Sequence, residues 1–496
     1  MVVMHMELKT SIVTPEEMAG IDRAAIASGI DGYQLMERAG QAVAAAALRL
    51  FPGGLRFVVL AGPGNNGGDG YVAARALVDS GCAVDVYALG EPAPGGDADR
   101  ARQLYTGAVM ALGDYAPATG DVVIDALFGA GLSRDLDGSV SALVDRVNCL
   151  ALPVVAVDLP SGIDGRTGMV RGAAFRAQHT VTFMCRKPGH LLMPGRALCG
   201  NTEIFDIGIP GRLVSAASHH LRVNEPALWR MSLPEVDPSA HKYGHGHLAV
   251  FSGGPLSTGA ARLSAAAGLA AGAGLVTLLS PGAAVDVNAA QLTAVMLRAV
   301  DDVAGLEALL ADPRLSAFVL GPGFGDFDKA RAYVAALGGR PLVLDADGIT
   351  AFRENPEPLF EIYREADRRL VLTPHDGEFA RLFADLAADS GLSKVDRARK
   401  AAARSHAAVV LKGADTVIAA PDGRALINAN APPSLATAGS GDVLAGIIGA
   451  HLAQGMPAFE AAAAGVWRHG EAGRRAGSGV TAEDLINALN GFDQIK

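Results

Sequence analysis

Cysteine, aromatic residues and basic clusters are all scarce in this chain, and each scarcity excludes a class of protein. The four cysteines, Cys82, Cys149, Cys185 and Cys199, are scattered with no CxxC spacing. A disulfide-stapled scaffold or a zinc ribbon needs them paired or clustered, so a reducing, cytoplasmic setting is expected. The N-terminus lacks the basic-then-apolar order of a signal peptide. No Lys/Arg run occurs and the formal charge is −10, so no nucleic-acid partner is expected. The longest apolar stretch, Gly259 to Ser280, carries Arg262 and many Gly and Ala residues. It reads as a buried helix followed by a strand, Leu275 to Leu279, and no membrane partner is expected. With aromatics at 5 %, the cores must be built from Ala, Val, Leu and Ile.

Glycine, by contrast, is abundant: 61 of 496 residues. That suits the tight strand-to-helix loops of α/β folds, and the length is comfortable for two domains. In the first half, Thr14-Pro15-Glu16-Glu17 marks a helix start. Strand-type runs recur at Phe57 to Ala61, Val84 to Leu89, Val122 to Ile124, Val154 to Val157 and Thr180 to Met184. Helical segments fill most gaps, which predicts a parallel sheet wrapped by helices. The pattern lapses around Leu221 to Ser239, where three prolines interrupt it, and a domain boundary is placed there, giving 1–222 and 223–496. A second series follows, with strands at Leu248 to Phe251, Leu275 to Leu279, Phe318 to Leu320, Leu342 to Leu344, Leu370 to Leu372, Val409 to Leu411 and Val417 to Ala419. Helices Val443 to Ala453, Ala458 to Ala476 and Ala482 to Leu489 close the chain.

The most informative stretch is Gly62 to Gly70, GPGNNGGDG, between the strand Phe57 to Ala61 and a helical stretch, Tyr71 to Ser80. Five glycines in nine residues bare the backbone N–H groups to an anionic ligand at a helix start. The spelling satisfies the dinucleotide fingerprint. Asp69, however, would repel phosphate, and Asn65, Asn66 and Asp69 suit sugar hydroxyls, an amide or a cation; a turn with a capping Asp is the plainer alternative. Asp125 and Asp158 close two further strands, the second before Pro160-Ser161-Gly162. Strand ends are where open α/β sheets bind ligands. Asn66, Asp125 and Ser161 form an oxygen donor set with one formal charge, better suited to a monovalent ion than to a transition metal. Either Asp also has a plainer role as a helix cap.

In the second half, Ala436 to Gly446 is a small-residue loop entering a helix. Gly439 and Gly441 free N–H groups for an anion hole, and Asp442 lies in the first turn. Such a carboxylate can take a proton from a hydroxyl while the N–H groups hold phosphate charge; a helix capped by Ser440 is the alternative. Lys412-Gly413-Ala414-Asp415-Thr416 follows a strand and suits nucleotide phosphates. Thr373 to Glu378, Gly321 to Gly325 and Asp345 to Gly348 are polar or glycine-rich strand ends. His241, His245 and His247 cluster in sequence, but without Cys or carboxylate a strand-leading loop is favoured over a metal site.

These motifs carry two resemblances. Tyr33 to Gly40, Asn65 to Gly70, Asp125 to Gly131, Asp158 to Gly162 and Lys187-Pro188-Gly189 make residues 10 to 220 resemble the NAD(P)H-hydrate epimerase domain, a Rossmann-like αβα fold. The resemblance implies potassium on Asn66, Asp125 and Ser161. It also implies substrate along Asn65, Asn66, Gly67, Gly68 and Asp69 and along Gly129, Ala130, Gly131, Leu132, Ser133, Arg134 and Asp135, against a catalytic Asp158. One positioned carboxylate can move a proton and stabilise a developing cation; Lys187 is a second candidate. Residues 225 to 490 resemble the ADP-dependent NAD(P)H-hydrate dehydratase, a ribokinase-like αβα fold. That resemblance implies substrate near Ala260, Gly323 and His375, nucleotide on Lys412, Gly413, Ala414, Asp415, Thr416 and Gly441, and Asp442 at the reacting hydroxyl. The chain departs from the family pattern at Ala438, at Asn430-Ala431-Pro432 and at His241-Lys242-Tyr243-Gly244.

The implied activities are epimerisation of NADHX and NADPHX, the hydrates of NADH and NADPH, and ADP-driven dehydration of the S form. Phosphorylation of the C6 hydroxyl would make a good leaving group. Potassium, magnesium (with Glu378 and Asp347 as candidate helpers) and ADP as co-substrate are the expected small partners, in a homo-oligomer. The competing reading is a ribokinase-like vitamin-alcohol kinase fused to a nucleotide-binding scaffold, with an NAD-dependent dehydrogenase third. Asn66, Asp125 and Asp158 together argue against a dead scaffold.

Overall fold

The computed structural model describes residues 10–136, 138–217, 220–234, 245–365 and 368–490. His241 and its neighbours up to Gly244 lie outside the described residues. The chain divides into two compact units, residues 1–221 and 222–496.

The first unit is built on seven strands: β1 (Arg56–Ala61), β2 (Val84–Ala88), β3 (Val109–Ala111), β4 (Asp121–Ala126), β5 (Val154–Val157), β6 (His179–Phe183) and β7 (Asn201–Phe205). All pair in parallel, in the order β3-β2-β1-β4-β5-β6-β7. β1, β4, β5 and β6 are almost wholly buried, as a parallel sheet covered on both faces requires, with polar side chains kept to Arg56, Asp121, Asp125, His179, Thr180 and Thr182. Alternate residues feed two cores. Val59, Ala61, Ile124, Val155 and Val157 pack with the helices Pro15–Ala27, Gly32–Leu50 and Asn65–Asp79. Val58, Leu60, Val123, Val154 and Ala156 pack with the helix Gly138–Cys149. That is a three-layer αβα unit. Strand order reverses between β1 and β4, the switch point where such sheets open a crevice for ligands.

The second unit carries a ten-stranded sheet: β8 (Leu221–Val223), β9 (His247–Phe251), β10 (Leu275–Ser280), β11 (Met296–Ala299), β12 (Leu315–Leu320), β13 (Leu342–Leu344), β14 (Leu370–Leu372), β15 (Ala408–Leu411), β16 (Val417–Ala419) and β17 (Ala425–Ile427). The order is β11-β10-β9-β12-β13-β14-β15-β16-β17-β8; the first seven are parallel, and β15, β16 and β17 pair antiparallel. One face buries the helices Gly259–Ala270, Ser440–Ala453 and Ala458–Ala476 against Leu248, Val250, Val319 and Val410. No helix among the described residues is long and apolar enough to cross a membrane.

Two expectations need correction. The helix after β1 begins at Asn65, not Tyr71, so Asn65 to Gly70 form its first turns rather than a loop. Its glycines are there for close packing: a Cβ on Gly67 would lie 1.8 Å from the Gly62 carbonyl oxygen, and one on Gly70 would lie 2.6 Å from Ala126 Cβ. And the apparent lapse from Leu221 contains a strand, β8, at the edge of the second sheet.

Candidate active sites

Parallel register brings the strand ends of the first unit level. Leu60 pairs with Asp125, Asp125 with Ala156, and Val157 with Val181. Asp158 leaves β5 with φ of 63°, a left-handed conformation that Asp tolerates at a cost and that clusters at functional sites. Its carboxylate is gripped on both oxygens. Oδ1 accepts from Lys187 Nζ at 2.6 Å and from Thr182 Oγ1 at 2.9 Å; Oδ2 accepts from the Ala130 N–H at 3.0 Å. Burial pushes this acid up, but Lys187 and the other donors outweigh it and hold the group at about 2. Lys187 Nζ also donates to Thr182 Oγ1 at 3.0 Å. His190 braces the pair. Its Nδ1 accepts from the Lys187 N–H at 2.9 Å, so Nε2 carries the proton and donates to the Asp158 carbonyl at 2.6 Å. Burial lowers this imidazole to about 4, so it is neutral.

A cavity of about 540 Å³ opens over this cluster. Asn65, Asn66 and Asp69 line it, as do Gly129, Ala130, Gly131, Leu132, Ser133, Arg134, Asp158 and Lys187. Gly67 and Gly68 are buried in the helix beneath it, and Asp135 is exposed outside it. The helix Asn65–Asp79 starts at Gly64 with no side-chain cap, leaving first-turn N–H groups available to an anion. Asp69 is therefore not a cap; it sits in the second turn, buried, with its acid pushed well up by burial and by the neighbouring Asp158 and Asp22.

Asp125 and Ser161 meet directly. The Ser161 N–H donates to Oδ2 at 2.7 Å and its hydroxyl to Oδ1 at 2.6 Å, while Ser161 Oγ accepts from the Phe128 N–H at 2.9 Å. Burial raises Asp125 to about 6 against these hydrogen bonds. The Asn66 side chain lies at Gly129, where a Cβ would come within 2.9 Å of Asn66 Oδ1 and 3.0 Å of Asp158 Oδ2; Asn66 Nδ2 is buried without a partner. Among the described residues, no three His, Cys, Asp or Glu side chains gather closely enough to hold a metal ion. A buried carboxylate without a basic neighbour, beside hydroxyl and amide oxygens, fits a monovalent ion held by mixed neutral oxygens.

The second unit assembles its own strand ends around Lys412. Lys412 Nζ donates to Asp345 Oδ1 at 2.8 Å and lies 3.8 Å from Glu378 Oε2. Burial would lower this ammonium, but Asp345 and Glu378 hold it up, so it stays charged. Gly441 is adjacent: a Cβ there would be 3.6 Å from Lys412 Nζ and 3.9 Å from Asp345 Oδ2. Asp442 follows in the first turn of the helix Ser440–Ala453, and burial, aided by Asp345, raises its acid to about 6. Gly439, at φ of 81°, is the N-cap, with no side-chain cap bond; the Ser440 hydroxyl instead meets His469 Nε2 at 3.0 Å.

The loop from Lys412 to Thr416 is pinned from both sides. Thr416 Oγ1 donates to the Gly413 carbonyl at 2.8 Å, and Lys394 Nζ donates to Asp415 Oδ1 at 2.5 Å and to the Lys412 carbonyl at 3.2 Å. His375 caps the helix Asp376–Leu382 through Nδ1, which accepts from the Gly377 and Glu378 N–H groups, leaving its half-exposed Nε2 as a donor. Gly323 lies against Ala260, whose Cβ would be 3.3 Å from a Gly323 Cβ. Asp347 Oδ2 accepts from the Gly325 N–H at 3.0 Å. Asn430, one of the departures, is tied to Asn428 and to the Trp467 carbonyl.

Sequence reasoning missed Asp22, Thr182 and His190 in the first site, and Lys394 and His469 in the second. Asp22 had a signal: it lies on the Met18, Ile21, Ala25 stripe of the helix Pro15–Ala27, where an acid has no place unless it faces something polar.

Comparison with known proteins finds one family match within each unit. Residues 32–189 match the family described as YjeF-related protein N-terminus, and residues 248–490 match the family described as NAD(P)H-hydrate dehydratase. The bifunctional NAD(P)H-hydrate repair enzyme Nnr of Moorella thermoacetica is 37 % identical over 510 residues, covering 96 % of this chain and 96 % of that protein. Its Escherichia coli counterpart is 34 % identical over 484 residues, covering 95 % and 91 %. The crystal structure of the ADP/ATP-dependent NAD(P)H-hydrate dehydratase from Bacillus subtilis, co-crystallised with ATP/Mg2+, is similar at 25 % identity and a TM-score of 0.45, covering 54 % of this chain and 95 % of that one.

Proposed function

The chain belongs to the bifunctional NAD(P)H-hydrate repair enzymes, with an epimerase half and a dehydratase half, and from that premise we propose how its own residues carry the two reactions. Water added at C6 of the nicotinamide ring makes a carbinolamine, whose C6 centre inverts through an iminium ion. Asp158, kept anionic by Lys187, stabilises that cation from a fixed position. The first-turn N–H groups of the helix Asn65–Asp79 take the pyrophosphate, and Asn65, Asn66 and the stretch Gly129 to Arg134 hold the rest. Asn66, Asp125 and Ser161 would hold potassium, which would supply a fixed positive charge to an anionic substrate.

In the dehydratase half, the observation that carries the reading is the meeting of Asp442, Gly441, Lys412 and Asp345 at one helix N-terminus. The C6 hydroxyl of the S hydrate gives its proton to Asp442 as its oxygen attacks the terminal phosphorus of ADP. Lys412 and the helix N–H groups hold the charge that develops there. AMP departs; then C6–O breaks, phosphate leaves, the C5 proton is lost and the C5=C6 bond of the dihydropyridine forms. Lys412 to Thr416 carry the nucleotide, and Ala260, Gly323 and His375 border the ring. Asp347 is better placed than Glu378 for a magnesium ion on the phosphates, because Glu378 is buried and occupied by His375 and Lys412. Such an ion neutralises charge on the transferring phosphoryl group.

The test is recovery of dihydropyridine absorbance from hydrated NADH with ADP and magnesium. Full recovery from mixed epimers is expected; no recovery with either ADP or ATP would end this reading.

A further inference from the structure

The gripped Asp158 cannot also do the proton work of epimerisation. Both its oxygens are occupied by donors. Lys187 is spent on it and on Thr182, and both His190 nitrogens are used. Yet C6–OH cleavage needs an acid, because hydroxide is a poor leaving group. Three carboxyls in the cavity wall remain: Asp97, half-buried beside Gly32 at the start of the helix Asp97–Leu104, and Asp22 and Asp69, which alone of the three share the field of Asp158 and Lys187. Asp22 enters from the helix Pro15–Ala27, whose Met18, Asp22 and Ile26 face the cavity at four-residue spacing. Asp69 enters from the helix Asn65–Asp79, about nine-tenths buried and with no side-chain hydrogen bond among the described residues.

We propose that Asp22 is the general acid–base of the epimerase half, with Asp69 beside it keeping the proton in the cavity. Asp22 gives its proton to the C6 hydroxyl oxygen. The C6–O bond breaks with its electron pair leaving on water, and the N1 lone pair closes an N1=C6 bond. Water adds to the other face of C6, the N1=C6 pair returns to N1, and the proton that water sheds goes back to the Asp22 carboxylate. The charged groups facing Asp22 are Lys187, Asp158, Arg23 and Asp69. Burial, and Asp158 against the opposing pull of Lys187 and Arg23, place Asp22 at about 6, so both protonation states are populated near neutrality. The assignment rests on the epimerase reading above.

The test uses the full chain and separated R-hydrate of NADH, with the epimer ratio followed by chromatography across pH. Wild type is expected to lose rate as pH rises through about 6. Asp22→Asn is expected to be ~10²-fold slower or more in kcat with KM nearly unchanged, and to lack that limb; Asp22→Glu restores part of the rate. Unchanged thermal unfolding of Asp22→Asn separates this from misfolding. An Asp22→Asn rate within about threefold of wild type, or a slow rate that keeps the limb, overturns the assignment while the epimerase reading stands. No interconversion by wild type above the spontaneous rate overturns both.

Discussion

Replacing Lys187 by methionine removes the ammonium that holds Asp158. The pair is 2.6 Å apart, with side chains 3 % and 17 % exposed. Breaking one partner of a buried pair costs ~3–5 kcal/mol, because the other charge is stranded. Asp158 limits the loss by taking a proton, at about 1.4 kcal/mol per unit of pKa displacement. In a unit of this size each kcal/mol moves Tm by ~2–4 °C, so the lower figure alone predicts a fall of ~6–12 °C. Acid narrows the difference between the two proteins. Asp158 is depressed to about 2, so its stabilisation is present above its unfolded value and lost as pH falls through about 2. Wild type should therefore give up ~2 kcal/mol between pH ~4 and ~2, whereas Lys187→Met should not. Calorimetry on Lys187→Met, Asp158→Asn and the double variant closes the cycle. The double variant is expected to lose less than the sum of the singles by ~2 kcal/mol. Additivity within ~0.5 kcal/mol would refute the coupling, and a Tm shift below ~1 °C for Lys187→Met would refute the burial argument beneath it.

Three further outcomes are expected. Asp442→Asn lowers dehydration ~10²-fold or more, and it removes a limb on which wild-type kcat falls below pH about 6, where the raised carboxyl takes up a proton; initial rates of absorbance recovery read both. Lys394→Met frees the loop at Asp415 and the Lys412 carbonyl, so KM for ADP rises ~10-fold with kcat little changed in steady-state kinetics. Gly439→Ala forces a side chain to φ of 81° with Leu263 Cδ1 2.8 Å from the new Cβ, which costs ~1–3 kcal/mol by denaturant titration and slows dehydration but not epimerisation.

The central strands were readable in the sequence because both faces are buried: Val154–Val157, Leu342–Leu344 and Leu370–Leu372 have no polar interruption. The strands that escaped notice include four at sheet edges. β3 and β8 are three residues long, and β7 and β11 are partly exposed and carry Asn201, Glu203 and Arg298, so no apolar run announces them. β17 was missed although Pro421-Asp422-Gly423, with Gly423 at φ of 91°, is a good hairpin turn between two short apolar triplets. The early start at Asn65 was hidden because glycine disfavours helix; packing against Gly62 and Ala126 overrides that propensity. Spelling located the strand-end carboxylates Asp125 and Asp158 and the helix-start carboxylate Asp442. It offered Lys187 as a second candidate but gave no sign that Thr182 and His190 would join it on Asp158, because that convergence depends on the positive φ at Asp158 and on where β6 ends.

The most direct measurement supplies the R-hydrate of NADH alone, with ADP and magnesium, to the full chain and to Asp158→Asn. The account predicts restoration of the dihydropyridine by wild type, and near-loss of it in the variant, which still repairs the S-hydrate. Equal repair of the R-hydrate by both proteins, or repair of neither epimer by wild type, would contradict it.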